Sequence, residues 1–97
     1  MNRAEVLSTL ESRREEIARR FAVKRLALLA SAGRDEMHDG SDIDMLVEFV
    51  GPPSYDGYMS LLAYLETLLQ ARIDLATDAM IKPRLRRRIE QDAVNVV

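Results

Sequence analysis

A stripe of apolar side chains, Tyr58, Leu61, Leu62, Leu65, Leu68 and Leu69, recurs at three- and four-residue spacing, the period of one face of an α-helix. Such a helix needs a surface on which to bury its stripe, and the flanking sequence offers short apolar runs of strand length. Ile43 to Val50 is apolar and β-branched and is stopped by Gly51-Pro52-Pro53, which reads as a strand. Arg72 to Thr77 reads as another. Val23 to Ala30, with its Leu26-Ala27-Leu28-Leu29-Ala30 run, has the length of a first strand, although Leu and Ala also suit a helix.

Asn2, a good N-cap, opens an amphipathic helix over residues 2–20 with Val6, Leu7, Leu10 and Ile17 on its apolar side. Pro83 suits the start of a last helix running to about Asp92, and Val94 to Val97 an extended tail. Residues 31–41, small and polar with Gly33 and Gly40, read as a loop with room for a helical turn. The expected fold is therefore α/β (α+β): a small mixed sheet with helices packed mainly on one face. The 97 residues fit one compact domain, 1–97.

Composition narrows the chemistry. No cysteine is present and His38 is the single histidine, so thiolate and multi-histidine metal cages are excluded and any metal must be held by oxygen. No apolar run approaches the roughly 20 residues of a membrane span, and a soluble, cytoplasmic protein is expected. The net charge of -2 hides a segregation: residues 35–78 carry ten acids and one base, Arg72. Weak overall acidity argues against direct DNA binding, which relies on surplus positive charge to displace counterions.

Within the acidic centre lies Ser41-Asp42-Ile43-Asp44-Met45-Leu46-Val47. Side chains alternate across a strand, so Asp42 and Asp44 project on one side while Ile43 enters the opposite layer. Two carboxylates that close repel unless a cation lies between them, and a hard divalent metal explains the pairing. Asp74 interrupts the otherwise apolar Ile73-Asp74-Leu75-Ala76. If its strand lies beside the second strand, three carboxylates converge where two magnesium ions could bridge them to substrate phosphates. Taken alone, an Asp-x-Asp is common at strand ends.

The order of these pieces is more specific: Leu28-Leu29-Ala30-Ser31-Ala32-Gly33-Arg34, ten residues between Ser31 and Asp42, Ser-Asp-Ile-Asp-Met-Leu-Val-Glu-Phe, then Arg-Ile-Asp-Leu. Over nearly the whole chain this resembles the minimal nucleotidyltransferases of the DNA polymerase β superfamily. The resemblance implies a polymerase β palm-like nucleotidyltransferase fold. It further implies that Asp42 and Asp44 bind both Mg²⁺ ions, that Asp74 completes the catalytic metal site, and that Ser31 contacts the triphosphate of ATP. Arg34 could add a cationic phosphate contact and Gly33 backbone freedom. Relatives of this kind pair with a HEPN-domain toxin, which they bind and adenylylate. The implied role is that of an antitoxin transferring AMP to an acceptor hydroxyl within a homo- or hetero-oligomer.

Two positions depart from the family pattern: Ala30 stands where a glycine precedes the serine, and Asp35 where a second glycine follows the arginine. A methyl group and an added negative charge both weaken a phosphate grip, so a partner-binding protein with little or no catalysis is the rival reading. An antibiotic-modifying nucleotidyltransferase is a second rival, for which this chain is short. Bland readings also stand: Ser31 as a strand-end cap, Arg34 as a solvated charge, His38 as an exposed loop residue. The basic cluster Lys82, Arg84, Arg86, Arg87 and Arg88 reads as a solvated helix face, and Tyr55 and Tyr58 as packing residues.

Overall fold

The computed structural model describes residues 2–29 and 43–97. The chain opens with α1 (Arg3–Ser12), where the Asn2 side chain caps the helix by accepting from the Glu5 amide at 2.8 Å. The expected single helix is divided at Arg13, and α2 (Arg14–Arg20) follows. Ser12 Oγ donates to the Thr9 carbonyl at 2.6 Å and the Arg13 amide to the Leu10 carbonyl at 3.1 Å. These short-range bonds tighten the last turn and compete with continuation of the helix. Val6, Leu10 and Ile17 nevertheless all reach the core.

Among the described residues, four strands form one mixed sheet in the order β3-β2-β1-β4. β1 (Val23–Leu29) runs antiparallel to β2 (Ile43–Phe49), with Leu26 opposite Val47 and Leu28 opposite Met45. The register slips between Val23 and Arg25, a bulge that accommodates Lys24. The residue before β1, Ala22, has a φ of 53°, a left-handed conformation that costs an alanine on the order of 1 kcal/mol. Its carbonyl accepts from the Val50 amide at 2.7 Å, tying the start of β1 to the end of β2.

From β2 the chain passes the Pro-rich turn into α3 (Tyr55–Leu69), capped by Ser54, whose hydroxyl accepts from the Gly57 amide at 2.9 Å. α3 starts three residues before the leucine stripe does, because the cap fixes its first turn. It crosses to β3 (Ile73–Thr77), which pairs parallel with β2. A 3-10 turn over Asp78–Met80 leads into α4 (Pro83–Asp92), with Pro83 in its first turn, and the tail adds β4 (Ala93–Asn95) antiparallel to β1. Val96 behind it is buried and its amide bonds the Leu26 carbonyl at 2.8 Å.

The core lies between one face of the sheet and α1 to α3. Leu61, Leu65 and Leu69 of the stripe meet Val6, Leu10 and Ile17 over Leu26, Leu28, Ile43, Met45, Val47, Ile73 and Leu75. Strand alternation then turns Arg25, Ala27, Asp44, Leu46, Glu48, Asp74 and Ala76 to the opposite face. The mixed sheet with helices mainly on one side agrees with the sequence expectation. No described helix is long and apolar enough to cross a membrane.

Leu65 is fully buried at the centre of this layer, so Leu65→Ala should cost about 2–5 kcal/mol through lost burial and a residual cavity. Urea unfolding measures it, and a loss under about 1 kcal/mol would contradict the packing described.

Candidate active site

The parallel pairing of β2 with β3 places Asp44 directly opposite Asp74. Both side chains lie on the face away from the helical core, since Ile43 and Met45 on β2, and Ile73 and Leu75 on β3, point into it. Adjacent strands are about 4.8 Å apart, close enough for one cation to take an oxygen from each carboxylate. Asp44 is half-buried and Asp74 exposed. Oxygen donors without soft ligands suit a hard divalent ion such as Mg²⁺.

β1 ends at Leu29 and β2 begins at Ile43, one and two residues beyond the Leu28–Met45 pair. The chain ends that bracket residues 30–42 therefore both sit at the carboxylate end of the sheet. Asp42, Ser31, Gly33 and Arg34 themselves, with Ala30, Asp35 and His38, lie outside the described residues. Among the described residues, no group of three or more potential metal-binding side chains comes together, and the pair Asp44–Asp74 is what the sheet assembles.

Helix α3 reaches the outer edge of β3 at two points. The Tyr58 hydroxyl donates to the Leu75 carbonyl, and Glu66 Oε2 accepts from the Ile73 amide at 3.2 Å. Burial, and then the charge of Asp74, push the Tyr58 phenol above its ordinary pKa, which keeps it a proton donor at neutral pH. Tyr58 thus packs, as expected, whereas Tyr55 is 76% exposed and does not.

The far end of the same face carries a polar network that sequence reasoning missed. Arg25 Nη1 lies 3.3 Å from Glu48 Oε2 and 2.8 Å from Glu90 Oε1, and its Nε donates to Asn95 Oδ1 at 2.8 Å. Arg86 Nη1 bonds Asp78 Oδ1 at 2.8 Å at the other end of α4. α4 buries no residue fully, and these ion pairs tie it to β1 and to the 3-10 turn. A basic residue interrupting an apolar strand was the available signal for Arg25, the same kind of signal that marked Asp74. Lys82, Arg84, Arg87 and Arg88 are exposed, in agreement with a solvated helix face.

Residues 10–96 match the nucleotidyltransferase domain family. The chain belongs to that family. A protein adenylyltransferase of Thermococcus cleftensis, MntA, is 33% identical over 92 residues, covering 95% of this chain and 93% of its own. A Methanocaldococcus jannaschii protein assigned as a protein adenylyltransferase is 34% identical over 94 residues and covers 96% of both chains. A solved structure assigned as a minimal nucleotidyltransferase superposes with a TM-score of 0.75 at 32% identity, covering 91% of this chain and 93% of that one. The fold also recurs, at TM-score 0.64 and 15% identity, in a solved complex of a tri-AMPylated Shewanella oneidensis HEPN toxin with an MNT antitoxin, covering 94% of this chain and 71% of that one. This nucleotidyltransferase thus carries paired carboxylates on a sheet face whose opposite end is closed by Arg25.

The Arg25 hydrogen bond holds Glu90 below the usual carboxylate pKa, and Glu90 and Glu48 raise that of Arg25. A carboxylate depressed in the folded state stabilises it above the unfolded pKa and loses that contribution as pH falls through the folded value. The stability gap between the wild type and Glu90→Gln should therefore be present at neutral pH and close as pH falls below the ordinary carboxylate range and through the lowered pKa of Glu90. Urea titrations across that range measure it, and a gap constant with pH would contradict the role given to this pair.

Proposed function

We propose that this nucleotidyltransferase is an Mg²⁺-dependent protein adenylyltransferase that transfers AMP from ATP to a hydroxyl of a HEPN-domain toxin, and so acts as an antitoxin. The observation that carries the reading is the Asp44–Asp74 register across β2 and β3. Support comes also from the relatives named as protein adenylyltransferases and from the fold shared with the solved toxin complex.

In this reading Asp42 and Asp44 hold both metal ions and Asp74 completes the catalytic site. Divalent metal there supplies charge neutralisation on the triphosphate and acidifies the attacking hydroxyl. Asp74 orients the acceptor hydroxyl or takes its proton as the oxygen attacks the α-phosphorus. The bond to the β-phosphate oxygen breaks and pyrophosphate departs. Ser31, Gly33 and Arg34 grip the phosphates, the serine and backbone through hydrogen bonds and the arginine through its charge. The preformed sheet aligns the carboxylates before substrate arrives, which removes part of the entropic barrier to an in-line transfer.

A second reading rests on Ala30 and Asp35, which replace the family's phosphate-loop glycines: the protein neutralises its toxin by contact alone. One experiment separates the two. The chain is incubated with α-labelled ATP, Mg²⁺ and the toxin encoded beside it, and Asp42→Asn, Asp44→Asn and Asp74→Asn are run in parallel. Label should move to the toxin with wild type and fall by at least about a hundredfold in each variant, more than loss of an outer-shell partner costs. Chelation of Mg²⁺ should have the same effect. Toxin neutralised without label would establish the contact reading, and equal labelling by all four proteins would remove these aspartates from the site.

A further inference from the structure

Among the described residues, β3 is an edge strand. In a strand, the N–H and C=O of one residue point the same way and successive residues alternate, so one set of an edge strand's groups has no strand to pair with. The Arg72 carbonyl accepts from the Ile43 amide at 2.9 Å, which assigns Arg72, Asp74 and Ala76 to the inward set. Ile73 and Leu75, flanking Asp74, face the open edge. Those are the residues whose backbone groups α3 takes up: Glu66 accepts from the Ile73 amide, and Tyr58 donates to the Leu75 carbonyl. Tyr58 and Glu66 are eight residues apart, just over two helical turns, so their long side chains converge from one helix on a three-residue window centred on Asp74.

We propose that Tyr58 and Glu66 are positioning residues for Asp74, a two-point clamp that replaces the missing fifth strand and holds this carboxylate in register with Asp44. This rests on the metal-site reading above and deepens it. A β-partner would pin a central strand on both sides; here the inner side is pinned by β2 and the outer side by two α3 side chains. A bound metal requires its ligands within about 0.5 Å of the productive geometry. The five-residue β3 would fray at its free edge without the clamp. The short path also makes the effect specific: each contact ends on the backbone of a residue flanking Asp74 rather than on its carboxylate, so the clamp aligns the ligand without occupying it. α3 itself is fixed by its leucine stripe in the core, which gives the clamp a rigid base.

The clamp is tested on the full chain with Tyr58→Phe, which keeps the ring and removes the donor, and with Glu66→Met, which keeps the length and removes the acceptor. Glu66→Gln keeps an acceptor oxygen and serves as the conservative control. Two readouts are taken: Mn²⁺ affinity by electron paramagnetic resonance in the presence of a non-hydrolysable ATP analogue, and the Mg²⁺ concentration giving half-maximal toxin labelling. Folding of each variant is verified by circular dichroism.

Both measures should shift about tenfold toward weaker metal in Tyr58→Phe and Glu66→Met, as for loss of a group supporting a metal ligand, and return to wild type in Glu66→Gln. Folded variants with unchanged metal affinity, while Asp74→Asn loses it, would overturn the clamp and leave the metal site standing. Wild-type metal affinity in Asp74→Asn would overturn the metal-site reading and the clamp with it.

Discussion

The parallel pairing of β2 with β3 sets Asp44 beside Asp74. Two acidic side chains would not choose that arrangement in water, because like charges on neighbouring strands repel. The pairing is enforced from behind. On the core face the same strands carry Ile43, Met45, Val47, Ile73 and Leu75, all buried under α3 and its leucines. A slip by one residue would reverse every side chain on β3, exposing Ile73 and Leu75 and burying Asp74. Burial of one large aliphatic side chain is worth about 1.5–3 kcal/mol, which outweighs repulsion between carboxylates open to solvent and ions. Register, and with it the carboxylate pair, is thus a consequence of the hydrophobic layer.

The two ends of the face away from the helical core are organised by different physics. At one end, the register sets Asp44 beside Asp74, two carboxylates suited to a divalent cation. At the other, Arg25 supplies the cation from within the chain, held by Glu48, Glu90 and Asn95, and α4 is attached through it. With 20% of its side chain exposed, Arg25 is screened by water less than a fully exposed residue would be, and its planar fork can serve three acceptors at once. An ion-paired attachment of a helix without a buried residue is weaker than packing. α4 is accordingly held mainly by charge, while α3, with three fully or almost fully buried leucines, is the platform on which the site is built.

Much of this was legible in the residues. The 58–69 stripe announced α3, the Gly-Pro-Pro stop ended β2, and Pro83 opened α4. Acids interrupting apolar strands marked Asp44 and Asp74, because such an interruption has an unfavourable energy that calls for a reason. Other features were closed to sequence reasoning. That Asp74 faces Asp44 depends on strand order and register, which local patterns do not encode. Arg25 meets partners 23, 65 and 70 residues away, separations at which no periodicity operates. The break at Arg13 arises from a serine hydroxyl competing for a backbone carbonyl, a contest invisible in an amphipathic pattern. Glu66 lies off the leucine stripe, and its role appears only where the edge of β3 gives it a donor to accept from.

The account turns on a cation shared between strands β2 and β3, and anomalous diffraction from crystals grown with Mn²⁺ and a non-hydrolysable ATP analogue observes it directly. The expected result is an anomalous peak with one oxygen each from Asp44 and Asp74 within about 2.5 Å. A metal held by the nucleotide alone, with neither carboxylate among its ligands, would contradict it.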